Sequence, residues 1–325
     1  MKRILITGTG GDVAVGIVKC ILSDMPQSVI FGCDIKEFVP YLDRFERHFI
    51  SPRYDSDDYW PVIRDICLEY KITHFFPSTE PEILIADGHR DFFSEHNISL
   101  VINNKKILDI ATSKYKTAVF LRGNNVSVPD TYLPDNIPSV LEYPYIVKPD
   151  FGRGSAYLTK VNNQRDLEIA LAAIPFPVIQ RYVGTADREF TVGVFADGKK
   201  TRSISYRRTL GRGNMSAFVE VVQDSRLNDI ADAVAKIFGL KGALNIQLRL
   251  HEDNYYIFEI NPRISSTVAF RHQMGFRDVV WWLQTLSGEP IEDYRSIDAG
   301  VIGIKLDSEH IFYPPFDNIQ DRRNR

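Results

Sequence analysis

The sequence has little cysteine and no long apolar run. Three of its 325 residues are cysteines, at positions 20, 33 and 67, and their spacing fits neither a zinc site nor a disulfide framework. No stretch reaches the ~20 apolar residues of a transmembrane helix, and the apolar run Ile4–Ile6 is too short for a signal peptide. We therefore expect a cytoplasmic protein with reduced thiols and no membrane partner.

An excess of positive charge is also absent. The chain has 39 Lys and Arg residues against 42 Asp and Glu residues, which gives a formal net charge of −3. This balance excludes the basic footprint that is typical of nucleic-acid-binding domains. Hydrophobic residues make up 44% of the chain, and at ~100–200 residues per domain its length predicts two or three domains with an ordinary apolar core.

The first hundred residues alternate strand and helix patterns. A strand, a glycine turn, a helix and a second strand follow one another at residues 4–6, 8–11, 13–22 and 29–34. This β-α-β order predicts a Rossmann-like domain. Gly8 and Gly10 are present, but Val13 stands where a dinucleotide fingerprint has its third glycine. The turn is therefore read either as a purely structural one or as an NAD(P) site.

An acidic loop follows a later strand of the same domain. Glu80 and Glu82 come directly after the apolar strand at residues 73–77, at the edge where open α/β sheets bind ligands. One interpretation is that they receive the amine of a substrate. The other is that Glu82 stabilises the N-terminus of the following helix. The sequence leaves both interpretations open, as it does for substrate contacts of the Gly8–Gly11 loop.

The most informative stretch runs from Tyr255 to Arg263. It is an apolar strand ending in Glu259 and Asn261, which point to the same face because strand side chains alternate. A preceding strand and a polar turn predict a hairpin that places Gln247 across from Glu259. Three hard oxygen donors on one face favour Mg²⁺, and Arg263 could bind an anion, although a plain strand end remains the alternative.

A second stretch combines a strand, a lysine and a glycine loop. The strand ends at Lys148, and the loop contains Gly152, Gly154 and Ser155. Glycine lets backbone N–H groups approach a phosphate closely, and lysine supplies a point charge. An ordinary hairpin turn is the competing interpretation. Further along the chain, Arg207, Arg208 and Arg212 indicate either a binding site for an anionic substrate or a solvated surface loop.

These motifs together resemble a known family. Asn245-x-Gln247 followed by Phe258-Glu259-x-Asn261-Pro262-Arg263 resembles the metal-binding hairpin of ATP-grasp ligases, with the carbamoyl-phosphate-synthase-like branch as the nearest likeness. Val-Lys-Pro followed by the glycine loop resembles the lid of the same family. The resemblance implies ATP and Mg²⁺ as cofactors, with Mn²⁺ as an alternative ion.

The resemblance also implies a role for each site residue. It assigns Gln247, Glu259 and Asn261 to the metal and Arg263 and Arg208 to catalysis. It assigns ATP binding to Lys114, Lys148, Gly152, Gly154, Ser155, Gln180, Arg181, Tyr182, Val183 and Glu189. In this set Lys114 and Lys148 would contact phosphates, residues 180–183 adenine and Glu189 the ribose. Gln180 departs from the glutamate common in the family, which puts that one contact in doubt.

The resulting prediction is an α/β chain of the ATP-grasp type. A Rossmann-like domain (residues 1–104) precedes an ATP-grasp domain (105–290) with a mobile lid at about 126–182, and residues 291–325 form a strand and a frayed tail. The expected function is Mg-ATP-dependent coupling of a small-molecule carboxylate to an amine, with a homodimer left open. The alternatives are an NAD(P)-binding oxidoreductase or epimerase and a non-catalytic ATP-binding protein.

Overall fold

The structure is a computed structural model that describes residues 1–152, 157–211, 216–306 and 315–323. The chain divides into two units. Unit 1 comprises Met1–Asn103, Arg263–Ser296 and Lys305–Arg325, and unit 2 comprises Asn104–Pro262 and Ile297–Ile304. The first division lies one residue from the boundary proposed after residue 104.

The N-terminal segment of unit 1 alternates strands and helices. Its elements are β1 (Arg3–Thr7), α1 (Asp12–Asp24), β2 (Val29–Asp34), β3 (Arg47–Ile50), α2 (Tyr59–Glu69), β4 (His74–Phe76), α3 (Glu80–Asp87), α4 (Arg90–Glu95) and β5 (Ser99–Leu100). The strands pair in parallel. The almost fully apolar β1 is buried along most of its length, as expected for a strand covered on both faces of a parallel sheet.

The central segment builds unit 2. Its elements are α5 (Lys105–Ala111), α6 (Lys114–Gly123), β6 (Thr131–Tyr132), β7 (Tyr145–Pro149), β8 (Thr159–Val161), α7 (Gln164–Ala173), β9 (Pro177–Arg181), β10 (Glu189–Asp197), β11 (Thr201–Leu210), β12 (Ser216–Val222), α8 (Ser225–Phe238), β13 (Lys241–His251) and β14 (Asn254–Asn261). The helix predicted from Lys105 to Arg122 is divided into α5 and α6. The break occurs at Ser113, because its side chain accepts a hydrogen bond from the Lys116 N–H and so begins a new helix.

The C-terminal elements are divided between the units. They are α9 (Val268–Gln273), α10 (Asp278–Leu286), β15 (Ile302–Ile304) and β16 (Ile319–Asp321). The sequence places residues up to 290 in the second domain, but Arg263–Ser296 cluster with unit 1, where α9 and α10 pack against α1. Of the tail predicted to fray, residues 321–325, the first two residues are part of the fold. Residues Ile319–Asp321 add a parallel strand beside β3, and Arg322 is buried.

Unit 2 contains two antiparallel sheets. One has six strands in the order β14-β13-β10-β11-β12-β15, and the other has four in the order β6-β9-β7-β8. The larger sheet shares its core with α5, α6 and α8, whereas the smaller sheet packs with α7 around a separate apolar cluster. This smaller sheet is built from the residues proposed as the lid. Its mobility remains a prediction.

The structure also shows the state of the cysteines and the lengths of the apolar helices. All three cysteines are unpaired and buried, and burial raises the pKa of the thiols of Cys20, Cys33 and Cys67. In the part of the chain that the structure describes, no helix combines the length and apolarity needed to cross a membrane.

The contact between α1 and α9 depends on a glycine. A Cβ placed on Gly16 would lie 2.2 Å from Cγ1 of Val268, so any larger residue displaces α9 or its side chain. In a helix interior, alanine is otherwise favoured over glycine by roughly 1 kcal/mol. The close approach of the two helices therefore explains why a poor helix former stands in the middle of α1.

We expect Gly16→Ala to destabilise unit 1. Overpacking typically costs about 1–3 kcal/mol, which exceeds the gain in helix propensity. The midpoint of thermal unfolding should fall by roughly 2–6 °C, measured by circular dichroism or calorimetry.

Gly123→Ala is the matched control, because Gly123 ends α6 and a Cβ there meets no heavy atom within 4 Å. That variant should be neutral or slightly stabilising. In a double-mutant cycle, Val268→Ala should reduce the cost of Gly16→Ala. Equal effects of the two glycine substitutions would contradict this account of the helix contact.

Candidate functional site

A cavity of about 600 Å³ lies in unit 2, lined by residues of both its sheets. Its size is within the ~300–1,000 Å³ range of small-molecule sites. Its lining contains many of the residues proposed from the sequence: Lys114, Lys148, Gly152, Gln180, Arg181, Tyr182, Val183, Glu189, Arg208, Gln247 and Glu259. Gly154 and Ser155 lie outside the described residues. The structure therefore brings together residues that are up to 145 positions apart in the chain.

Lys148 on β7 is the most deeply buried of the described cations that line the cavity. Its Nζ donates to Oε1 of Gln180 at 2.8 Å and to the carbonyl oxygen of Phe258 at 3.4 Å. Burial lowers the pKa of Lys148 from 10.5 to about 8, although the nearby Glu259 carboxylate acts in the opposite direction. The lysine is thus held by neutral oxygen acceptors and is an incompletely compensated charge.

Lys114 lies at the N-terminus of α6 and contacts the glycine loop. Its Nζ donates to the carbonyl oxygens of Asp150 at 3.2 Å and Gly152 at 3.0 Å. The Asp150 carboxylate accepts hydrogen bonds from the Ser113 hydroxyl and the Tyr115 N–H. The start of α6 and the start of the loop are therefore fixed to each other, and both border the cavity.

Some backbone donors of the segment proposed to hold adenine already have partners within the protein. The N–H groups of Arg181 and Tyr182 donate to the carbonyl oxygens of Asp130 and Pro144, so these two donors do not face a ligand. Gln180 is buried, and its Nε2 donates to the Thr131 hydroxyl at 3.1 Å while its Oε1 accepts from the Lys148 Nζ. Both ends of the Gln180 amide therefore have partners within the protein, and its contact with a ligand remains a prediction.

The hairpin of β13 and β14 has the register expected from the sequence. Gln247 pairs with Glu259, and Asn245 pairs with Asn261. Gln247 and Glu259 both line the cavity, while Asn261 is buried beside them on the strand. One carboxylate with amide oxygens suits Mg²⁺, which commonly takes one or two protein carboxylates and completes its shell with phosphates and water. The residues thus fit the ion, and their role as ligands remains a prediction.

Within the described ranges, no cluster of three or more His, Cys, Asp or Glu side chains is placed to hold a metal. A site of the zinc or all-carboxylate type is therefore not supported by those residues. The amide oxygen of Gln247 also accepts a hydrogen bond from Nη2 of Arg208 at 2.8 Å. Arg208 therefore borders the proposed metal position.

Arg249 is a site residue that the sequence analysis missed. It lines the cavity, and its Nε and Nη2 donate to Oε2 of Glu189 at 3.1 and 3.0 Å. A signal was available, since Arg249 follows Gln247 by two residues on the same strand and so shares its face.

The remaining arginines do not form one cluster with Arg208. Arg207 points to the opposite face of β11, where it pairs with Glu220 at 3.2 Å, and it is about half exposed. Arg212 lies outside the described residues. Arg263 belongs to unit 1, and its Nη1 donates to the carbonyl oxygen of Ile264. The catalytic role proposed for Arg263 stays a prediction.

The acidic residues of unit 1 have structural partners. Glu82 is buried and forms a capping box with Thr79 at the start of α3. Its carboxylate also accepts from the Tyr59 hydroxyl at 3.1 Å, and burial raises the pKa of Glu82. Of the two interpretations offered for Glu82, the structure favours the helix N-terminus, and Glu80 lies in the same first turn.

The acidic residue that a dinucleotide site would need at the glycine turn already has partners within the protein. Oδ2 of Asp34 accepts a hydrogen bond from the Gly10 N–H at 2.8 Å, and Oδ1 accepts from the Lys36 N–H. In a dinucleotide site this acid would bind a ribose hydroxyl. Here it closes the turn instead, which favours the structural interpretation of Gly8 and Gly10.

The cavity combines charge and apolar surface. Among the residues that the structure describes, five cationic side chains line it, against the two carboxylates Glu189 and Glu259. Phe258, Val183 and Tyr182 add apolar and aromatic surface. Such a site can hold an extended anion at one part and a flat apolar group at another.

Solved structures with the same fold include a carboxylase and a ligase. Biotin carboxylase from Campylobacter jejuni, in complex with β-γ-ATP, has a TM-score of 0.74 at 18% identity and covers 93% of this chain and 74% of its own. L-amino acid ligase from Bacillus licheniformis has a TM-score of 0.70 at 17% identity, over 88% of this chain and 74% of its own. At these identities the likeness establishes the fold alone.

The curated relatives that the chain matches are several times longer than the chain. The carbamoyl phosphate synthase large chain of Helicobacter pylori is 23% identical over 303 residues, which is 83% of this chain and 27% of the relative. The arginine-specific large chain of Bacillus subtilis is 25% identical over 170 residues, or 48% of this chain and 16% of the relative. The chain thus spans about a quarter or less of the length of these relatives.

Two protein-family models match the chain. The model of the PylC-like, N-terminal domain matches residues 4–101, and the model of the ATP-grasp domain matches residues 111–267. These matches and the relatives confirm the predicted fold class and the resemblance to the carbamoyl-phosphate-synthase-like branch. Residues 111–267 are therefore an ATP-grasp domain, which follows a PylC-like N-terminal domain at residues 4–101.

Proposed function

We propose that the chain is an ATP-dependent ligase that activates a carboxylate as an acyl phosphate and transfers the acyl group to an amine or a similar nucleophile. The proposal is carried by one cavity whose lining combines Lys148 of the smaller sheet with Arg208, Gln247 and Glu259 of the larger sheet. The names of the relatives, which include a carbamoyl phosphate synthase and an L-amino acid ligase, support the same reaction class.

The protein's own groups act by position and charge. Lys148 and Lys114 bind phosphate oxygens, because both ammonium groups border the cavity and bind neutral carbonyl or amide oxygens that a phosphate can replace. Arg208 lies beside Gln247 and offers a guanidinium to anionic oxygens of the reacting carboxylate. No nucleophilic side chain is required, since the substrates themselves react once they are held together.

A divalent ion fits this arrangement. Glu259 and Gln247, paired across the hairpin, would hold Mg²⁺, with Asn261 next along β14. The ion, when bound, neutralises charge on the phosphates during transfer. Glu259 supplies the one carboxylate of this set, so its charge is the principal protein contribution to holding the ion.

The first experiment is a substrate screen. We expect Mg-ATP-dependent release of inorganic phosphate when carboxylates and amines are supplied in pairs, and little release with either class alone. A coupled phosphate assay on the purified full chain measures this. ATP binding with no phosphate release across a broad paired library would favour a non-catalytic ATP-binding protein instead.

We expect Glu259→Gln to abolish Mg²⁺-dependent turnover while the fold is retained. The substitution keeps the size of the side chain but removes the charge that holds the ion, so turnover should fall by roughly 100-fold or more. Initial rates over a Mg²⁺ titration measure this effect. Glu168→Gln on the exposed face of α7 is the control and should leave rates unchanged. A fully active Glu259→Gln enzyme would remove the metal assignment.

We expect nucleotide binding to take up a proton at alkaline pH. The pKa of Lys148 is about 8 in the free protein, and a bound triphosphate raises it because the anion stabilises the ammonium form. At pH 8.5 most Lys148 side chains are neutral, so binding should take up roughly 0.5–1 proton, and affinity should fall as the pH rises above 8. Calorimetry in two buffers with different ionisation enthalpies measures the uptake.

Lys148→Met should abolish this proton uptake and weaken ATP binding by roughly 10–100-fold, as expected for the loss of a charge-assisted hydrogen bond. Lys116→Met is the control, because Lys116 is exposed on α6 and is not part of the cavity lining. Proton uptake that persists in Lys148→Met would assign the titration to another group.

A further inference from the structure

We propose that Arg249 is a positioning residue that fixes the Glu189 carboxylate for the ribose hydroxyls of the bound nucleotide, and so sets the preference for ribonucleotides over deoxynucleotides. The inference rests on the proposed function, since it assumes that the cavity binds ATP. It goes beyond that function because it names the residue that controls recognition of the sugar.

The pair is built into the sheet. Glu189 on β10 and Arg249 on β13 are direct cross-strand partners in the antiparallel ladder. Their side chains are 18% and 20% exposed, and both line the cavity. Cross-strand partners have Cβ atoms about 4.5–5.5 Å apart, so the backbone itself brings the two charges together.

The two oxygens of the Glu189 carboxylate differ in their hydrogen bonds. Nε and Nη2 of Arg249 both donate to Oε2 of Glu189. Oε1 is 3.6 Å from Nη2 of Arg208, beyond normal hydrogen-bond length, and that nitrogen donates to Gln247 instead. Arg249 thus engages one oxygen and orients the carboxylate, which keeps acceptor capacity at Oε1 for hydroxyl groups.

Aromatic rings fix the guanidinium in turn. The Cζ of Arg249 lies 5.1 Å from the ring centroid of Tyr182 and 5.6 Å from that of Phe258. These distances are within the range of cation–π contacts, which favour arginine because its planar group also stacks. Lysine at position 249 could keep the charge, but it could not reproduce the two donors to one oxygen.

This geometry predicts selectivity for hydroxyls. A site built to hydrogen-bond a hydroxyl group discriminates against the analogue that lacks it, because the acceptor is then left without its partner. The discrimination depends on the acceptor being held in place, since a freely rotating carboxylate can turn to water. The ligand class is therefore a nucleoside triphosphate with an intact ribose diol.

The experiment compares dissociation constants for ATP and 2′-deoxyATP, each with Mg²⁺, by calorimetry. We expect the wild-type protein to prefer ATP by roughly 10-fold, in keeping with one hydrogen bond to a charged acceptor. In Arg249→Met the preference should fall to about 2-fold or less, and Arg249→Lys should give an intermediate value. In a double-mutant cycle with Glu189→Gln, the effects on this preference should be strongly non-additive.

Arg207→Met is the matched control. Arg207 forms a similar cross-strand pair with Glu220, but on the other face of the sheet and outside the cavity lining. This variant should keep the wild-type preference for ATP, which separates sugar recognition from a general effect of losing a sheet ion pair. Thermal unfolding of each variant checks that the fold is intact.

Two outcomes would overturn the inference, and they are distinguishable from each other. If Arg249→Met and Arg249→Lys bind ATP with the wild-type preference over 2′-deoxyATP, the positioning role is wrong while the proposed function stands. If the wild-type protein binds neither nucleotide, both the proposed function and the inference fail.

Discussion

The hydrogen bonds of the Lys148 ammonium group connect the two sheets that form the cavity of unit 2. Lys148 belongs to β7 of the smaller sheet, and it donates to Gln180 within that sheet and to the Phe258 carbonyl oxygen on β14 of the larger one. Because the ammonium group lies at this junction, the distance between the sheets and the position of the charge are set together. The walls of the cavity depend on that placement.

A local irregularity of β14 makes the second of these bonds accessible. The ladder pairs Gln247 with Glu259 and then Leu248 with Ile257, so Phe258 is an extra residue on its strand. A residue in such a bulge is left out of the ladder, which explains how its carbonyl oxygen can accept from Lys148 instead. The bulge also keeps Glu259 directly opposite Gln247. One irregularity thus serves both the phosphate-binding lysine and the proposed metal pair.

The sequence predicted those parts of the site that depend on short-range geometry. Gln247 and Glu259 could be placed opposite each other because a short turn and a period of two determine which side chains meet. Arg249 was missed although it obeys the same period, since its partner Glu189 lies on a strand 60 residues away. The bulge at Phe258 has no glycine or proline to mark it.

Long-range packing explains why the two compact units differ from the domain boundaries predicted from the sequence. Residues 263–296 follow the ATP-grasp hairpin in sequence, yet they join unit 1, because α9 packs where Gly16 leaves room on α1. Gly16 and Val268 are 252 positions apart in the chain, so the sequence around either residue does not indicate their contact. The strand β16 near the C-terminus could not be predicted from the local sequence either, since it is polar in part and is recognised as a strand only when its partner β3 is known.

The charge of the cavity connects stability with binding. The chain has a net charge of −3, but five cations of the described part of the chain line the cavity: Lys114, Lys148, Arg181, Arg208 and Arg249. The lowered pKa of Lys148 shows that its charge is unfavourable in the folded protein, by roughly 3 kcal/mol below pH 8. The unfolded chain binds the extra proton between pH 8 and the ordinary value of 10.5, so this one group makes the protein more stable as the pH rises through that window. A polyanion bound beside Lys148 removes the same penalty at neutral pH. The unfavourable burial of the Lys148 charge in the free protein therefore favours binding of an anionic ligand.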